Sequence, residues 1–488
     1  MKPPVQDSHL TLRDKLLRDN FTLAETLLCC ILILCSLAVL YPGQPRSNWL
    51  LCFFFIIGAL TPVLLKTHEV THPFFIDKLW SRFGLLIAPF LLLQFTYIIG
   101  LFQAPLVSVL LEETTYRQLV PINIFQPTST EPNSTWIALL GFGCIYAISL
   151  TVLIIPKSIA YFERVLPWFC LIASLIAVFG YMQKIGGHDA PFYAREHPSD
   201  DYFSIFAYDG HWAAYALLWM TACFGFTFLT LAYAKNIPFS KTMAPWYLSG
   251  ALLLGYSGFF VQSRFPSSLL LLYFSIFATL FTLSYLKRPI ARALKIKVGI
   301  ASTLLIALPA GVALQRLMQP HPFDSTAVGL RQAAYRMFLD NPLFGWGMDA
   351  FTHLSQFYQS DLLLSQSHER AFSDILQMLA EFGLVGSIPI ILLFLWQLLR
   401  YFRGPNAQVL PNLLLAACFG IVLLSFVDSP FMSPAVFMSF LILFFSALRW
   451  TELSRASVDV VDTDTVVVTN SNLRKVPFYT GPKKEAFK

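Results

Sequence analysis

Long apolar runs recur along the chain, separated by short breaks that contain Pro, Gly or charged residues. Each run approaches the roughly 20 apolar residues that a helix needs to cross a bilayer. Strands that span a membrane would instead alternate polar and apolar residues over about ten positions. The pattern therefore predicts about twelve membrane helices, near residues 22–41, 49–66, 84–103, 136–155, 165–183, 212–233, 244–262, 266–286, 298–315, 384–402, 409–427 and 433–449.

The composition supports this interpretation. Hydrophobic residues make up 56% of the chain and charged residues 13%, and the mean hydropathy is +0.61. A soluble globular protein of this length would be far more polar. We therefore expect an all-α integral membrane protein whose membrane domain covers residues 1–450, including a large extracytoplasmic loop at 316–383, with a disordered cytoplasmic tail at 451–488.

The distribution of Lys and Arg predicts the orientation. If the N-terminus is cytoplasmic, most of these residues lie in cytoplasmic breaks, above all between residues 287 and 297. This agrees with the positive-inside rule and places both termini in the cytoplasm. The bias also accounts for the net charge of +6 without a nucleic-acid partner. The longer outer segments are then 104–135, 184–211 and 316–383, where we expect the functional residues.

Arg264 stands at the outer boundary between two apolar runs that are joined by almost no loop. Such a residue can be an interfacial anchor whose charged end reaches water. It can also bind a phosphate, because guanidinium offers paired donors and stays charged at any relevant pH. Sequence position alone leaves both interpretations open.

The outer segment 316–383 combines charged residues with helical periodicity. Residues 329–339 and about 367–382 predict two amphipathic helices, which suit a membrane surface. In the second of these, His368 has a side chain that normally titrates near neutral pH and would suit a general base. The alternative is a solvated loop histidine. The scattered histidines and carboxylates lack the spacing of a metal site.

Four segments of the chain resemble the superfamily of O-antigen ligases and O-antigen polymerases, which are bacterial envelope glycan ligases, polymerases and protein O-oligosaccharyltransferases. The resemblance covers much of the region from about residue 200 to 390. The segments are Tyr208-Asp-Gly-His-Trp-Ala-Ala-Tyr215, Gln262-Ser-Arg264, Arg331 through Asn341-Pro-Leu-Phe-Gly-Trp-Gly347, and Ser373-Asp-Ile-Leu-Gln-Met-Leu-Ala-Glu-Phe-Gly-Leu-Val-Gly386.

The resemblance implies a multi-pass glycosyltransferase of the bacterial inner membrane. Such an enzyme transfers a glycan from an undecaprenyl diphosphate carrier to an acceptor hydroxyl, without a metal or another cofactor. The acceptor is lipid A core in ligases, a second carrier-linked glycan in polymerases, and Ser or Thr in protein transferases. We expect an O-antigen ligase-like activity, with the polymerase as the alternative within the superfamily.

The resemblance also implies roles for particular residues. Catalysis is expected from His368 and Arg264, and substrate binding from Arg331, Arg336, His211, Asp374 and Glu381. The sequence departs from the superfamily at Phe372, where a histidine is usual. His368 would replace it from one helical turn away if the helix extends that far, or Glu369, Asp374 or Glu381 would take its place.

Two other functions remain open. A transporter or lipid-glycan flippase also has about a dozen spans, but it should carry ionisable groups near the bilayer midplane. The charges of this chain gather instead at the outer surface. A partner protein that has the transferase fold and no activity would account for Phe372.

Overall fold

The computed structural model describes most of the chain from residue 23 to residue 470. The predicted span at 49–66 and most of that at 84–103 lie outside the described residues. These are 23–40, 98–100, 103, 105–111, 114–120, 123–187, 202–233, 237–288, 291–319, 323–359, 368, 370–402 and 408–470.

Helices dominate the described residues, together with one antiparallel hairpin in which Leu106 pairs with Leu119. Three short 3-10 turns lie at Phe239–Lys241, Ser257–Phe259 and Pro430–Met432. The elements are α1 (Leu23–Val39), β1 (Leu106–Leu111), β2 (Thr114–Leu119), α2 (Pro132–Ile154), α3 (Ile159–Ile185), α4 (Asp209–Tyr233), α5 (Ala244–Tyr256), α6 (Arg264–Leu286), α7 (Arg292–Met318), α8 (Phe323–Asp340), α9 (Ala350–Tyr358), α10 (Asp374–Phe402), α11 (Val409–Leu424) and α12 (Pro434–Asn470).

Seven of the described helices are long and apolar enough to cross a membrane, namely α2, α3, α4, α6, α7, α10 and α12. Helices α1 and α11 are apolar but shorter. The predicted span at 244–262 is a helix of 13 residues followed by the Ser257–Phe259 turn. The structure thus agrees with an all-α, multi-pass membrane protein, and the count of twelve spans stays a prediction.

Helix α4 is the centre of the bundle and is buried along most of its length. It packs against α3, α5, α6, α11 and α12. Large rings on α4 fill the core, and Trp219 stacks on Phe169 with 5.3 Å between the ring centroids. At Gly225 a side chain would collide with Leu410, because a Cβ there would lie 2.6 Å from its Cδ1. This packing holds α4, whose first turn contains Asp209 and His211, within the bundle.

A second, smaller core lies among α8, α9 and the start of α10. It contains Leu330, Met337, Trp346, Phe351 and Phe372, and the hairpin packs against it through Leu106 and Leu119. Helix α8 includes the predicted helix at 329–339.

The second amphipathic helix begins later than predicted, at Asp374 rather than near residue 367. Phe372 has a φ of 52°, a left-handed conformation that interrupts a right-handed helix. The Gln377 amide oxygen accepts a hydrogen bond of 3.1 Å from Ala371 N and so holds the preceding residues outside the helix. His368 is therefore not one helical turn before Phe372.

The turn at 341–347 docks into a kink of α10. Gly345 and Gly383 have φ values of 69° and 60°. A Cβ on Gly345 would lie 2.5 Å from the Glu381 carbonyl, so the two backbones approach as only glycine permits. Trp346 N donates to Ala380 O at 3.0 Å. The turn and the first part of α10 therefore form one unit.

Helix α12 continues past the predicted boundary at residue 450 and ends at Asn470. Thr451 and Ser454 are buried within it. The bundle therefore extends beyond residue 450, and residues 471–488 of the predicted tail lie outside the described part of the chain.

Candidate functional site at the first turn of α4

Asp209 begins α4 and ties it to the entrance of α6. The Asp209 side chain is 1% exposed. Its Oδ2 accepts hydrogen bonds from Gln262 N and from Ser263 N, the latter at 3.1 Å, and its Oδ1 accepts one from Ser263 Oγ. The carboxylate thereby orients the residues immediately before Arg264.

Arg264 is the first residue of α6 and is half-buried. Its guanidinium donates to Leu317 O at the end of α7, and its Cζ lies 5.1 Å from the centroid of the Phe265 ring. Arginine offers five donors in a planar fork, and the contact with Leu317 O anchors this group at the end of α7.

Arg316 lies beside this segment and has a structural role. Its Nη1 donates to Gly258 O at 2.9 Å and to Val261 O at 2.7 Å, and its Nη2 donates to Phe259 O at 2.9 Å. These carbonyls follow the end of α5 and lack helical partners of their own. Arg316 thus holds the segment 258–261, which leads to Arg264.

Several residues of the site contact the loop between α11 and α12. We call residues 427–431 the α11–α12 loop. Arg331 Nη1 of α8 donates to Val427 O at 3.2 Å. His211 Nε2 of α4 lies 3.0 Å from Ser429 O. Two residues of the predicted site are therefore attached to the same short loop.

Asp374, at the start of α10, contacts the same loop in two ways. Its backbone N donates to Asp428 O at 3.3 Å, and its Oδ2 accepts from Phe431 N at 2.8 Å. Asp374 is 8% exposed. Its carboxylate has a structural contact and also lies where α4, α8 and α10 converge.

Tyr208 and Asp428 form a buried pair within the site. Tyr208 Oη donates to Asp428 Oδ2 at 2.9 Å, and Ser429 N donates to Asp428 Oδ1 at 2.7 Å. Burial raises the pKa of Asp428 to about 6, although these hydrogen bonds and the charge of Arg370 act in the opposite direction. Burial and the neighbouring Asp428 raise the pKa of Tyr208 well above its usual value. Asp428 can therefore exchange a proton near neutral pH.

Arg370 lies beside this pair, and its charge acts on His368. The Arg370 Cζ is 4.1 Å from the centroid of the Tyr208 ring and 5.7 Å from that of Phe372. The pKa of His368 is lowered, first by burial and then by the positive charge of Arg370. His368 is thus biased towards the neutral imidazole, the form that can accept a proton.

Glu381 and Arg336 are not part of this cluster. Glu381 Oε1 accepts from Gln377 Nε2 at 3.1 Å and from Phe351 N at 3.3 Å. Glu381 also lies about 10 Å along α10 from Asp374 at a helical rise of 1.5 Å per residue. Arg336 is exposed on α8. The predicted binding roles of these two residues remain predictions.

Tyr208, Asp428 and Arg370 were not predicted as site residues. Asp428 carried a detectable signal, because it is a lone carboxylate between two apolar runs. Arg370 also carried a signal, because it is a charged residue two positions from the candidate base His368. Their contacts join positions far apart in the chain, which local periodicity does not reveal.

Among the described residues, no group of three or more His, Cys, Asp or Glu is arranged to hold a metal ion. The cluster instead offers guanidinium groups, a histidine and buried carboxylates, which are suited to binding anions and moving protons. No protein-family model matches the chain, and no curated protein matches it significantly.

Proposed function

We propose that this chain is a membrane glycosyltransferase of the O-antigen ligase type, which moves a glycan from a polyprenyl diphosphate carrier to an acceptor hydroxyl. One observation carries the proposal, namely that the four segments that resemble this superfamily contact one another or share a partner. Asp209 joins the first segment to the second, and Trp346 joins the third to the fourth. The α11–α12 loop links the first, third and fourth through His211, Arg331 and Asp374.

The chemistry of the cluster supports the same reaction. The acceptor oxygen forms a bond to the anomeric carbon of the glycan, and the bond from that carbon to the diphosphate oxygen breaks. The bonding electrons leave with the diphosphate, whose growing negative charge favours nearby arginines, with Arg264 and Arg331 in that role. The acceptor proton passes to a base, and we assign this role to His368 or to the Asp428 carboxylate.

The membrane setting suits a lipid-linked donor. Helix α7 carries large exposed apolar side chains, including Ile300, Leu304 and Leu308, and Arg264 contacts the end of the same helix at Leu317. A polyprenyl chain would lie against such a surface while its diphosphate reaches the arginines. Inner-membrane location, cytoplasmic termini and a lipid A core acceptor belong to this proposal, with a polymerase acceptor as the alternative.

A transporter or lipid-glycan flippase is the second candidate function. It is favoured by the burial of Asp374 and Asp428 among the helix ends, since buried ionisable groups mark ion and proton pathways in membrane proteins. It predicts movement of the substrate across the bilayer without a new glycosidic bond.

The test is transfer by the purified full-length protein in nanodiscs. The protein is incubated with an undecaprenyl diphosphate oligosaccharide and, in separate reactions, with lipid A core, a second carrier-linked glycan or a Ser/Thr peptide. Products are followed by mass spectrometry for the wild type, Arg264→Ala, His368→Ala and Lys241→Ala. The control Lys241 is exposed in the 3-10 turn before α5, away from the first turn of α4.

We expect the glycan on one of these acceptors, with transfer lost in Arg264→Ala and retained in Lys241→Ala. The acceptor that is modified identifies the subclass. If no acceptor is modified while the wild type remains folded, the transferase proposal is wrong. Movement of intact donor across vesicles would then favour the transporter.

A further inference from the structure

Arg370 carries a hydrogen-bond donor that the described residues leave unused. We propose that the Arg370 guanidinium, held on the ring of Tyr208, binds a phosphate oxygen of the substrate at the first turn of α4. The inference rests on the proposed function, because it identifies the phosphate as part of the donor diphosphate.

The guanidinium is held in place by aromatic rings. Its Cζ lies 4.1 Å from the Tyr208 ring centroid, within the range of a cation–π contact. Phe372 lies on another side at 5.7 Å, and the Phe372 and Tyr208 rings are 6.2 Å apart. Stacking of this kind fixes the plane of the guanidinium while leaving its N–H groups directed outwards.

One donor of Arg370 is not used by the described residues around it. Its Nη1 is buried and has no hydrogen-bond partner among the described residues. The neighbouring carboxylate oxygens of Asp428 already accept from Tyr208 Oη and Ser429 N. A buried donor without a partner costs stability, and a phosphate oxygen would supply the acceptor.

The position of Arg370 explains the departure from the superfamily at Phe372. Where the resemblance implies an imidazole, this chain has a ring that packs beside a guanidinium. Arginine stays protonated and cannot act as the base. This part of the site therefore binds negative charge, and proton transfer belongs to another group.

The experiment measures binding rather than turnover. The full-length protein is placed in nanodiscs of zwitterionic lipid, and undecaprenyl diphosphate without a glycan is titrated. Parallel titrations use inorganic pyrophosphate, and others add phosphatidylglycerol as a competing phosphate. The variants are Arg370→Gln, Arg370→Lys, Tyr208→Phe and Tyr208→Leu, with Lys241→Ala as the control.

We expect Arg370→Gln to raise the Kd for the lipid diphosphate by about 10- to 100-fold, the effect of losing a hydrogen bond to a charged group. Tyr208→Phe keeps the ring and should bind nearly as tightly as wild type, although it loses the bond to Asp428. Tyr208→Leu should bind the lipid diphosphate more weakly than wild type. Arg370→Lys should bind it more tightly than Arg370→Gln, because lysine keeps the positive charge.

Equal Kd values for folded wild type and Arg370→Gln would overturn the inference and leave the proposed function standing, provided that the wild type still transfers glycan. A wild type that binds no polyprenyl diphosphate would contradict the proposed function as well. If Arg370→Gln weakens only the competition by phosphatidylglycerol, the phosphate belongs to a lipid headgroup and the assignment to the donor is wrong.

Discussion

Replacing Asp209 by Ala should both destabilise the protein and misplace Arg264. The change removes the acceptor of Gln262 N, Ser263 N and Ser263 Oγ. A donor left without an acceptor costs about 1–3 kcal/mol when it is buried. Gln262 is exposed and Ser263 is half-buried, so water will replace some of the lost hydrogen bonds. We expect the three lost bonds together to lower the free energy of unfolding by about 1–3 kcal/mol.

The effect on transfer should be larger than the effect on stability. The lost contacts lie immediately before Arg264, and a displacement of about 1 Å in a reacting group can reduce a rate by about 100-fold. Asp209→Asn keeps one acceptor oxygen and should lie between wild type and Asp209→Ala. The assay combines thermal unfolding in nanodiscs with the initial rate of transfer.

The matched control is Glu163→Gln on α3, whose partner Tyr233 is the last residue of α4. Glu163 accepts a hydrogen bond of 3.2 Å from Tyr233 Oη in an exposed setting, and its loss should change stability by no more than about 0.5 kcal/mol. If Asp209→Ala matches this control in both unfolding and rate, the carboxylate does not position Arg264, and the reasoning is refuted.

Three further predictions concern stability and charge. Gly383→Ala should lower the unfolding temperature, since φ is 60° and a Cβ would lie 2.4 Å from Leu343 O. Gly299→Ala on α7 is the control and should be neutral or stabilising, because its Cβ would have no described atom within 4 Å. A Gly383→Ala protein as stable as Gly299→Ala would show that the turn is not docked in this way. Folding raises the pKa of Asp428 from 3.8 to about 6. The contribution of Asp428 to the free energy of unfolding is therefore greatest below pH 3.8 and is lost as the pH rises through 6. Asp428→Asn should therefore be more stable than wild type at pH 7.5 and should lose this advantage at pH 4; unfolding curves with the same difference at both pH values would contradict the assignment. Arg370→Gln should raise the pKa of His368, because it removes a positive charge that lowers it; a histidine NMR titration without a shift would place the two side chains further apart than we describe.

Much of the helical architecture could be predicted from the sequence. Apolar runs of membrane length correspond to α2, α3, α6 and α12, because crossing a bilayer requires continuous hydrogen-bonded helix. Helix α8 was also predictable from its periodicity. The boundaries of α5 and α10 were not.

Two boundary errors have local physical causes. The span predicted at 244–262 contains a helix that ends at Tyr256, where a 3-10 turn follows. The predicted start of α10 was early because the left-handed conformation of Phe372 carries no glycine signal. The bond from Ala371 N to Gln377 becomes visible only in the folded chain.

The candidate site was predictable in its parts but not in its arrangement. His211, Arg331 and Asp374 were identified by residue type and resemblance, yet their common partner is the α11–α12 loop, which no motif indicated. Glu381 looked equivalent to Asp374 on the same helix. Its carboxylate accepts a hydrogen bond from Phe351 N, whereas the Asp374 carboxylate accepts one from the α11–α12 loop. The binding role of Glu381 stays a prediction.

The stoichiometry of the proposed transfer shows whether the protein moves the glycan from the donor to the acceptor. The purified protein is given an undecaprenyl diphosphate oligosaccharide and the acceptor that it uses, and released undecaprenyl diphosphate and glycosylated acceptor are quantified together by mass spectrometry. Both products should appear in equal amounts, and neither should appear with Arg264→Ala. An intact donor, or glycosylated acceptor formed equally well by Arg264→Ala, would contradict the proposed transfer.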